Sequence, residues 1–528
     1  MPDETRRAAG PPQTPNSKRL IGLIILVTLV SLAPFATNHF ISDDYDLVRD
    51  VSTGGPLAIW TFAPTTFFRP LISVSLWINY MACGWSSWGY LAPNFLLHAA
   101  NTALVFLIAR RFMEGTGSLV VSAPKQGVAA FAALVFMASP SHAEALFFMS
   151  CRTDLMAAFF GLLSVWVFLG ALRSGKAATA VGAVILLLLG CLCKESVYAL
   201  FLFFAGMAAV HRADRARSRV GWGAATGGFV TVAVTAIIRS KVVTAALPSG
   251  SPSLGVTSAA KAIARIGLML VKPNVPLDAG ILIRRSTPVF STTDWAFFAV
   301  ALITAGAATW FALGYASEET KRPDLRPPFI AFLAAALPVC FLAMPALSPE
   351  GGRLMYLPSA FAAICFAFLV APLLQRASSR WVGTLWVAVA AGFTFASGVL
   401  YRAASDRCES SIAWMRSHQP PAKVAVIVVP DSIGGRYVWR NGFESALQSF
   451  APEWARIPHV VVTYNGSVGP LAGQRRVDLR LADVSQVNPY DFQIRGDTTQ
   501  NASLVLFPPE GEGTEADGVA VRWPAARR

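Results

Sequence analysis

The chain has 528 residues, 54% of them apolar and only 14% charged, against about 25% charged in an ordinary soluble domain, and its mean hydropathy is +0.51. This composition excludes an ordinary soluble enzyme, a disordered chain and a fibrous repeat; seven cysteines in such a length exclude a disulfide-stapled secreted scaffold. What remains is a polytopic α-helical membrane protein, whose net charge of +14 must be read by position, because Lys and Arg mark cytoplasmic loops.

A hydrocarbon core of ~30 Å needs about 20 apolar residues of helix. About eleven runs qualify, at roughly 20–36, 91–109, 127–149, 154–172, 177–193, 196–211, 222–238, 295–315, 328–347, 354–374 and 381–401. The first follows Lys18 and Arg19 without a clear small-residue cleavage site, so it reads as an uncleaved anchor behind a cytoplasmic tail, 1–19. Cys191, Cys193, Cys340 and Cys365 lie inside apolar runs and read as small core residues. With the N-terminus cytoplasmic, the inside loops collect Arg110, Arg111, Lys125, Arg173, Lys176, Arg212, Arg215, Arg217, Arg219, Lys321, Arg322, Arg326, Arg376 and Arg380. The short outside loops keep only Arg152, Lys194 and Arg353, the asymmetry expected of membrane insertion. Between 254 and 271, Lys261, Arg265 and Lys272 share one face opposite an apolar one, the pattern of an amphipathic helix on the outer leaflet.

After a membrane domain over 20–401 the character changes. Val424–Val429, ending at Pro430-Asp431, reads as a buried strand, Phe443–Phe450 as a helix, and Val460–Thr463 as a second strand before the turn signal Asn465-Gly466. Period-two stretches follow over 475–507, as in Val477–Leu481. Residues 402–508 are therefore expected to form a small extracytoplasmic α/β domain, and 509–528 a disordered tail. Asn465 and Asn501 open glycosylation sequons. No internal repeat is visible.

Charged groups at membrane depth are costly and therefore functional candidates. Directly behind the anchor stands Ser42-Asp43-Asp44-Tyr45-Asp46, where one carboxylate of an adjacent pair can take a proton while the other orients it or holds a divalent cation; a solvated loop start is the bland alternative. The third run ends in Pro140-Ser141-His142-Ala143-Glu144, shortly before Arg152-Thr153-Asp154. Glu144 and Arg152 are also spaced to pair with each other as a structural bridge. Lys194-Glu195 and Arg353-Leu354-Met355-Tyr356 fall on the same side, and Arg supplies a planar fork suited to gripping a phosphate. Phe68-Arg69-Pro70-Leu71 opens an aromatic stretch, through Trp77, Tyr80, Trp85, Trp88 and Tyr90, that suits a re-entrant or surface-lying helix. Asn94 and His98 share a helical face, with His98 inside an apolar run, where a satisfied core histidine is the plainer reading.

These stretches, taken in order over residues 20–400, resemble the GT-C superfamily of integral membrane glycosyltransferases. They resemble most the transmembrane O-mannosyltransferases that carry tetratricopeptide repeats, which this sequence lacks. The resemblance implies inverting transfer of a sugar, a hexose with mannose the first candidate, from a polyprenyl-phosphate donor to an acceptor hydroxyl at the outer face of the membrane. It implies Asp43 as first choice of base and Asp44 as second. It assigns the donor phosphate to Arg152, Arg353, Lys194 and Tyr356, and acceptor or orienting roles to His142, Glu144, Asp154, Arg69 and His98. No cofactor is required; a divalent metal at Asp43 and Asp44 stays open. The partners implied are a polyprenyl-phosphate-linked sugar, membrane lipid, and a glycan, lipid or protein acceptor, with no nucleic acid, in a bacterial inner membrane. Two rival readings are a lipid or polysaccharide transporter and a non-catalytic membrane scaffold; charges gathered at one edge and the lack of inverted repeats speak against the transporter.

Overall fold

The computed structural model describes residues 17–59, 61, 67–114, 123–243, 256–283, 289–314, 323–342, 351–374, 379–420, 424–433, 435–457, 459–465, 484–488, 491–494, 502–506 and 519–522. Among these, seven helices are long and apolar enough to cross a membrane: Ser17–Phe35, Trp88–Glu114, Met149–Ser174, Arg215–Val242, Thr292–Leu313, Gly352–Leu374 and Arg380–Ser417. The pair Gln126–Ala138 and Pro140–Phe147, bent by 47°, adds an eighth if it is one span. The chain is an integral membrane protein of mainly helical fold. Isolated exposed side chains such as Ile303 and Leu369, each 68% exposed, lie on helices that suit lipid, since only closed hydrogen-bonding elements survive in hydrocarbon.

Three runs expected as spans are shorter. Ala177–Cys191 and Glu195–Val210 are apolar helices of under 18 residues, divided at Lys194-Glu195, and among its described residues the run at 328–347 is helical only within Arg326–Ala336. Pro338 has no amide to continue the ladder beyond that stop, although Leu337 before it keeps helical dihedrals. Proline bends the third run through the preceding residue instead: Ser139, ahead of Pro140, is extended with ψ 119°. The aromatic stretch after Arg69 forms a separate helix, Pro70–Cys83. Helix contacts are close where side chains are small: a Cβ on Gly221 would stand 2.7 Å from Cβ of Ala208, the approach that membrane helices use in place of a hydrophobic driving force.

The last span runs on to Ser417, 38 residues in all, so residues 402–417, expected in the C-terminal domain, continue the membrane helix. Beyond it come β1 (Val424–Ile433), β2 (Arg436–Tyr437), β3 (His459–Asn465), β4 (Val484–Asn488), β5 (Asp491–Ile494), β6 (Ala502–Leu506) and β7 (Val519–Arg522), with helices Phe443–Phe450 and Pro452–Arg456 between β2 and β3. β1 pairs in parallel with β3 and with β6, Ile427 lying opposite Val461 and Val505, and β2 turns back antiparallel on β1. β7 pairs antiparallel with β6. Part of the expected disordered tail is therefore strand: alternating Val519-Ala520-Val521-Arg522 completes a sheet edge that local composition alone does not announce. The expected stretch Val477–Leu481 lies outside the described residues.

This C-terminal unit sits on the membrane domain. Fully buried Trp439 packs 5.2 Å, ring to ring, from Tyr45 and donates Nε1 to Ser411 Oγ at 3.3 Å. Trp454 Nε1 donates to the Met415 carbonyl at 2.8 Å, and Phe450 meets Trp85 at 4.9 Å. Large aromatics with their polar atoms satisfied make such a contact strong.

Candidate active site

The loop after the first helix carries Ser42, two residues before the next helix, at φ +46°, a left-handed conformation rare for a side-chain-bearing residue and often found where function constrains the backbone. Helix Asp44–Gly54 follows. The two adjacent aspartates fall into different surroundings. Asp44 is 2% exposed; its Oδ2 accepts from the Ile41 amide at 3.1 Å and its Oδ1 from the Ser150 amide at 2.9 Å. Burial pushes its carboxyl well above the usual range, against the pull of those two amides. Asp43 is half-buried. It stands at the N-cap position yet makes no side-chain cap bond. Its Oδ1 accepts instead from Asn441 Nδ2 at 2.6 Å and from Ser42 Oγ at 3.3 Å. Oδ2 has no hydrogen-bond partner among the described residues.

Arg353 arrives from the short helix Gly352–Met355. Its amide donates to Glu144 Oε2 at 3.1 Å, its Nε lies 3.4 Å from Glu144 Oε1, and its Nη1 reaches Cys151 Sγ at 3.7 Å. Glu144 is fully enclosed, while the Arg353 side chain keeps 33% exposure and no acceptor for Nη2 among the described residues. Gly352 lets this approach happen: a Cβ there would stand 2.6 Å from the Ser141 carbonyl oxygen. Asp44 and Arg353 thus hold successive residues, Ser150 and Cys151, of one turn, which joins the acidic loop to the later arginine.

Lys194 Nζ lies 2.6 Å from both oxygens of Asp154; burial lowers the ammonium pKa, with Asp154 opposing and Arg69 and Arg353 reinforcing the fall. Arg69 Nη2 bonds Glu195 Oε2 at 2.9 Å, and Arg239 Nε bonds Glu195 Oε1 at 3.2 Å. Among the described residues, Arg69, Lys194, Arg239 and Arg353 therefore gather with Glu144, Asp154 and Glu195, four cations paired with three acids, at one edge of the bundle. A surplus of positive charge at low dielectric suits an anionic group.

Other expected site residues are occupied within the protein. Arg152, 1% exposed, donates Nε to Asn94 Oδ1 at 2.9 Å, Nη2 to the Tyr90 carbonyl at 2.5 Å, and Nη1 to Ser75 Oγ and Asn79 Oδ1. The anticipated Glu144–Arg152 bridge is absent; Arg353 takes Glu144, and Arg152 turns to neutral acceptors. His98 is buried with Nδ1 2.7 Å from Tyr356 Oη and Nε2 3.2 Å from the Met137 carbonyl; Asn101 also donates to that phenol. His98 and Tyr356 thus engage each other's polar atoms inside the bundle. His142 Nε2 meets Ser359 Oγ at 2.7 Å in the same layer. Among the described residues no three His, Cys, Asp or Glu side chains are grouped to hold a metal ion.

The sequence reading missed Asn441 and Ser445, whose Oγ donates to Asp46 Oδ1 at 2.6 Å. Their signal is Asn441-Gly442, a turn pair: Gly442 has φ +79°, and a Cβ there would overlap the Ser42 carbonyl.

No family model matches the chain. It is 32% identical over 129 residues to Protein O-mannosyl-transferase Tmtc1 of Drosophila melanogaster, 24% of this chain and 14% of that protein. It is 31% identical over 164 residues to Protein O-mannosyl-transferase Tmtc2 of the same organism, 29% of this chain and 16% of that protein. The matches thus span about a seventh of the length of these curated relatives. Among solved structures, ArnT from Cupriavidus metallidurans, crystallised with undecaprenyl phosphate, is similar over 85% of this chain and 86% of that one at 15% identity and a TM-score of 0.41. Arabinosyltransferase EmbB from Mycobacterium smegmatis is similar over 75% of this chain and 42% of that one, at 16% identity and a TM-score of 0.35. In sequence, then, about a quarter of the chain resembles protein O-mannosyltransferases.

Proposed function

We propose that this chain transfers a sugar from a polyprenyl-phosphate donor to an acceptor hydroxyl at the outer face of a bacterial inner membrane, with inversion. One observation carries the reading: Asp44 and Arg353 hold successive residues of one turn, which brings Asp43, the half-buried neighbour of Asp44 whose Oδ2 has no partner among the described residues, to the same region as a partly exposed arginine whose Nη2 has none among them either, beside a net-positive cluster.

In this reading Arg353 binds the donor phosphate, with Arg69 and Lys194 contributing field rather than direct bonds. Asp43 Oδ2 takes the proton of the acceptor hydroxyl as its oxygen attacks the anomeric carbon. The bond from that carbon to the phosphate oxygen breaks on the opposite side, and polyprenyl phosphate leaves with the bonding pair. Base assistance is typically worth 10²–10⁴-fold, neutralisation of the leaving phosphate adds to it, and the rest comes from alignment. Asp44 serves as a structural tie between the loop and the Ser150 turn. The O-mannosyltransferase likeness favours a hexose, mannose first, and sidedness follows from the distribution of loop cations. The C-terminal unit is read as an extracytoplasmic domain beginning after Ser417.

The test is mass spectrometry of envelope glycans, glycolipids and glycoproteins from cells with and without the chain, and with Asp43→Asn. A hexose-bearing species present only with the unmodified chain, and lost with Asp43→Asn at unchanged protein level, is the expected result. Identical glycan profiles with and without the chain would sink the proposal; an unchanged product with Asp43→Asn would remove the base.

A further inference from the structure

The C-terminal unit does more than rest on the membrane domain. An aspartate at a helix N-cap ordinarily turns its carboxylate to the first free amides of that helix. Asp43 stands at such a position and makes no such bond. Its Oδ1 is held by Asn441 Nδ2 at 2.6 Å, from nearly 400 residues away in the chain. The hold is built from several sides. Ser42 Oγ donates to the same oxygen at 3.3 Å and itself accepts from the Asn441 amide at 3.2 Å. The Ser42 amide donates to the Val438 carbonyl at 2.8 Å. Ser445 fixes Asp46, and Gly442 clears the Ser42 carbonyl. Ser42 is kept at positive φ in the middle of this junction. Oδ2 is left without a partner among the described residues.

We infer that Asn441 is a positioning residue for Asp43: by tying Oδ1 it presents Oδ2 to the acceptor hydroxyl, so the reacting carboxylate is set only when the C-terminal unit is docked. The inference rests on Asp43 being the base. A carboxylate with two donors on one oxygen has one rotamer and one free basic atom. Without Asn441 it is free to swing away from substrate, toward the first turn of its own helix, where the Asp44 and Tyr45 amides already donate to the Ile41 and Ser42 carbonyls and the Asp46 amide alone, among the described residues, lacks a partner. The 10²-fold penalty of an ångström-scale misplacement sets the size of the effect.

The test is a double-mutant cycle in membranes of expressing cells, which supply their own donor and acceptor. It reads the isotope-labelled initial rate of the glycan species absent from cells lacking the chain. Asn441→Ala should lower the rate roughly 10- to 100-fold, with protein level and thermal midpoint unchanged. In the Asp43→Asn background, the same change should cost nothing further, because residues that act as a unit do not add. Should Asn441→Ala fail to accumulate, Asn441→Ser replaces it in the cycle. A full rate with Asn441→Ala, or two losses that multiply, overturns the positioning role. An undiminished rate with Asp43→Asn alone overturns the base assignment instead, so the two failures are told apart.

Discussion

Lys194 and Asp154 offer the sharpest test of which ions are scaffold and which are machinery. Their side chains are 10% and 4% exposed, and Nζ sits 2.6 Å from both carboxylate oxygens. At an effective dielectric of about 20 the attraction at that distance is roughly 6 kcal/mol before desolvation is subtracted. Lys194→Met strands Asp154 as an uncompensated buried charge, and breaking such a pair costs about 3–5 kcal/mol. Lys194→Met with Asp154→Leu removes both charges and should return stability to within about 1 kcal/mol of the parent, since apolar replacement of a buried pair is often neutral. Denaturation of the purified protein in detergent reads the stability, and the cell-envelope glycan product reads the function. Because both carboxylate oxygens engage the ammonium, the double variant should keep most of its transfer. A stable double variant without product would refute the reasoning and return Lys194 to the donor phosphate. A loss under about 1 kcal/mol for Lys194→Met would show that the pair is not tightly coupled.

Arg152→Ala removes donors from Asn94, Ser75, Asn79 and the Tyr90 carbonyl in a fully buried setting; it should cost about 3 kcal/mol or more and deplete the protein from membranes, as seen by immunoblot. Arg353→Lys keeps a cation beside Glu144 but loses the planar fork, so folding should survive while the donor KM rises roughly tenfold, about 1.4 kcal/mol of phosphate contact. Burial raises the Asp44 carboxyl above its ordinary value, so the folded chain holds a proton that the unfolded chain releases near pH 3.9. Stability should then fall as pH rises from about 4 towards the raised folded value, and Asp44→Asn should flatten that slope in thermal midpoints taken across the range.

The membrane architecture was legible because twenty apolar residues have few other uses, and because Lys and Arg are costly anywhere but at the edges. The helix boundaries were less so. Pro338 and Pro140 stop or bend runs whose apolar composition continues past them, and the last helix extends into polar residues that hydropathy assigns elsewhere. Strand β1 and helix Phe443–Phe450 were visible as local patterns, whereas β7 depends on β6 for its partner and carries little signal of its own. At the candidate site, composition marked loops that the structure brings together but not the pairings between them. Glu144 is two hundred residues from its arginine and eight from the one that local spacing suggested. Burial decides which pairing forms, and burial is a property of the packed bundle.

The division of Asp43 from Asp44 is the clearest case. Neighbours in sequence project about 100° apart once a helix begins, so a single turn suffices to send one carboxylate into the bundle and the other to its rim. The inward one meets two amides and excludes water, which makes it a tie. The outward one stands at the head of the helix, where the Asp44 and Tyr45 amides are already taken by the Ile41 and Ser42 carbonyls. The Asn441-Gly442 turn supplies its donor, and it can do so only because Gly442 lacks a Cβ where the Ser42 carbonyl lies. The orientation of the Asp43 carboxylate, and with it the proposed base role, is therefore set by a distant turn docked onto the acidic loop and not by the loop's own residues. Gly442→Ala should accordingly impair transfer as severely as loss of Asn441 itself, although it alters no charge and removes no donor.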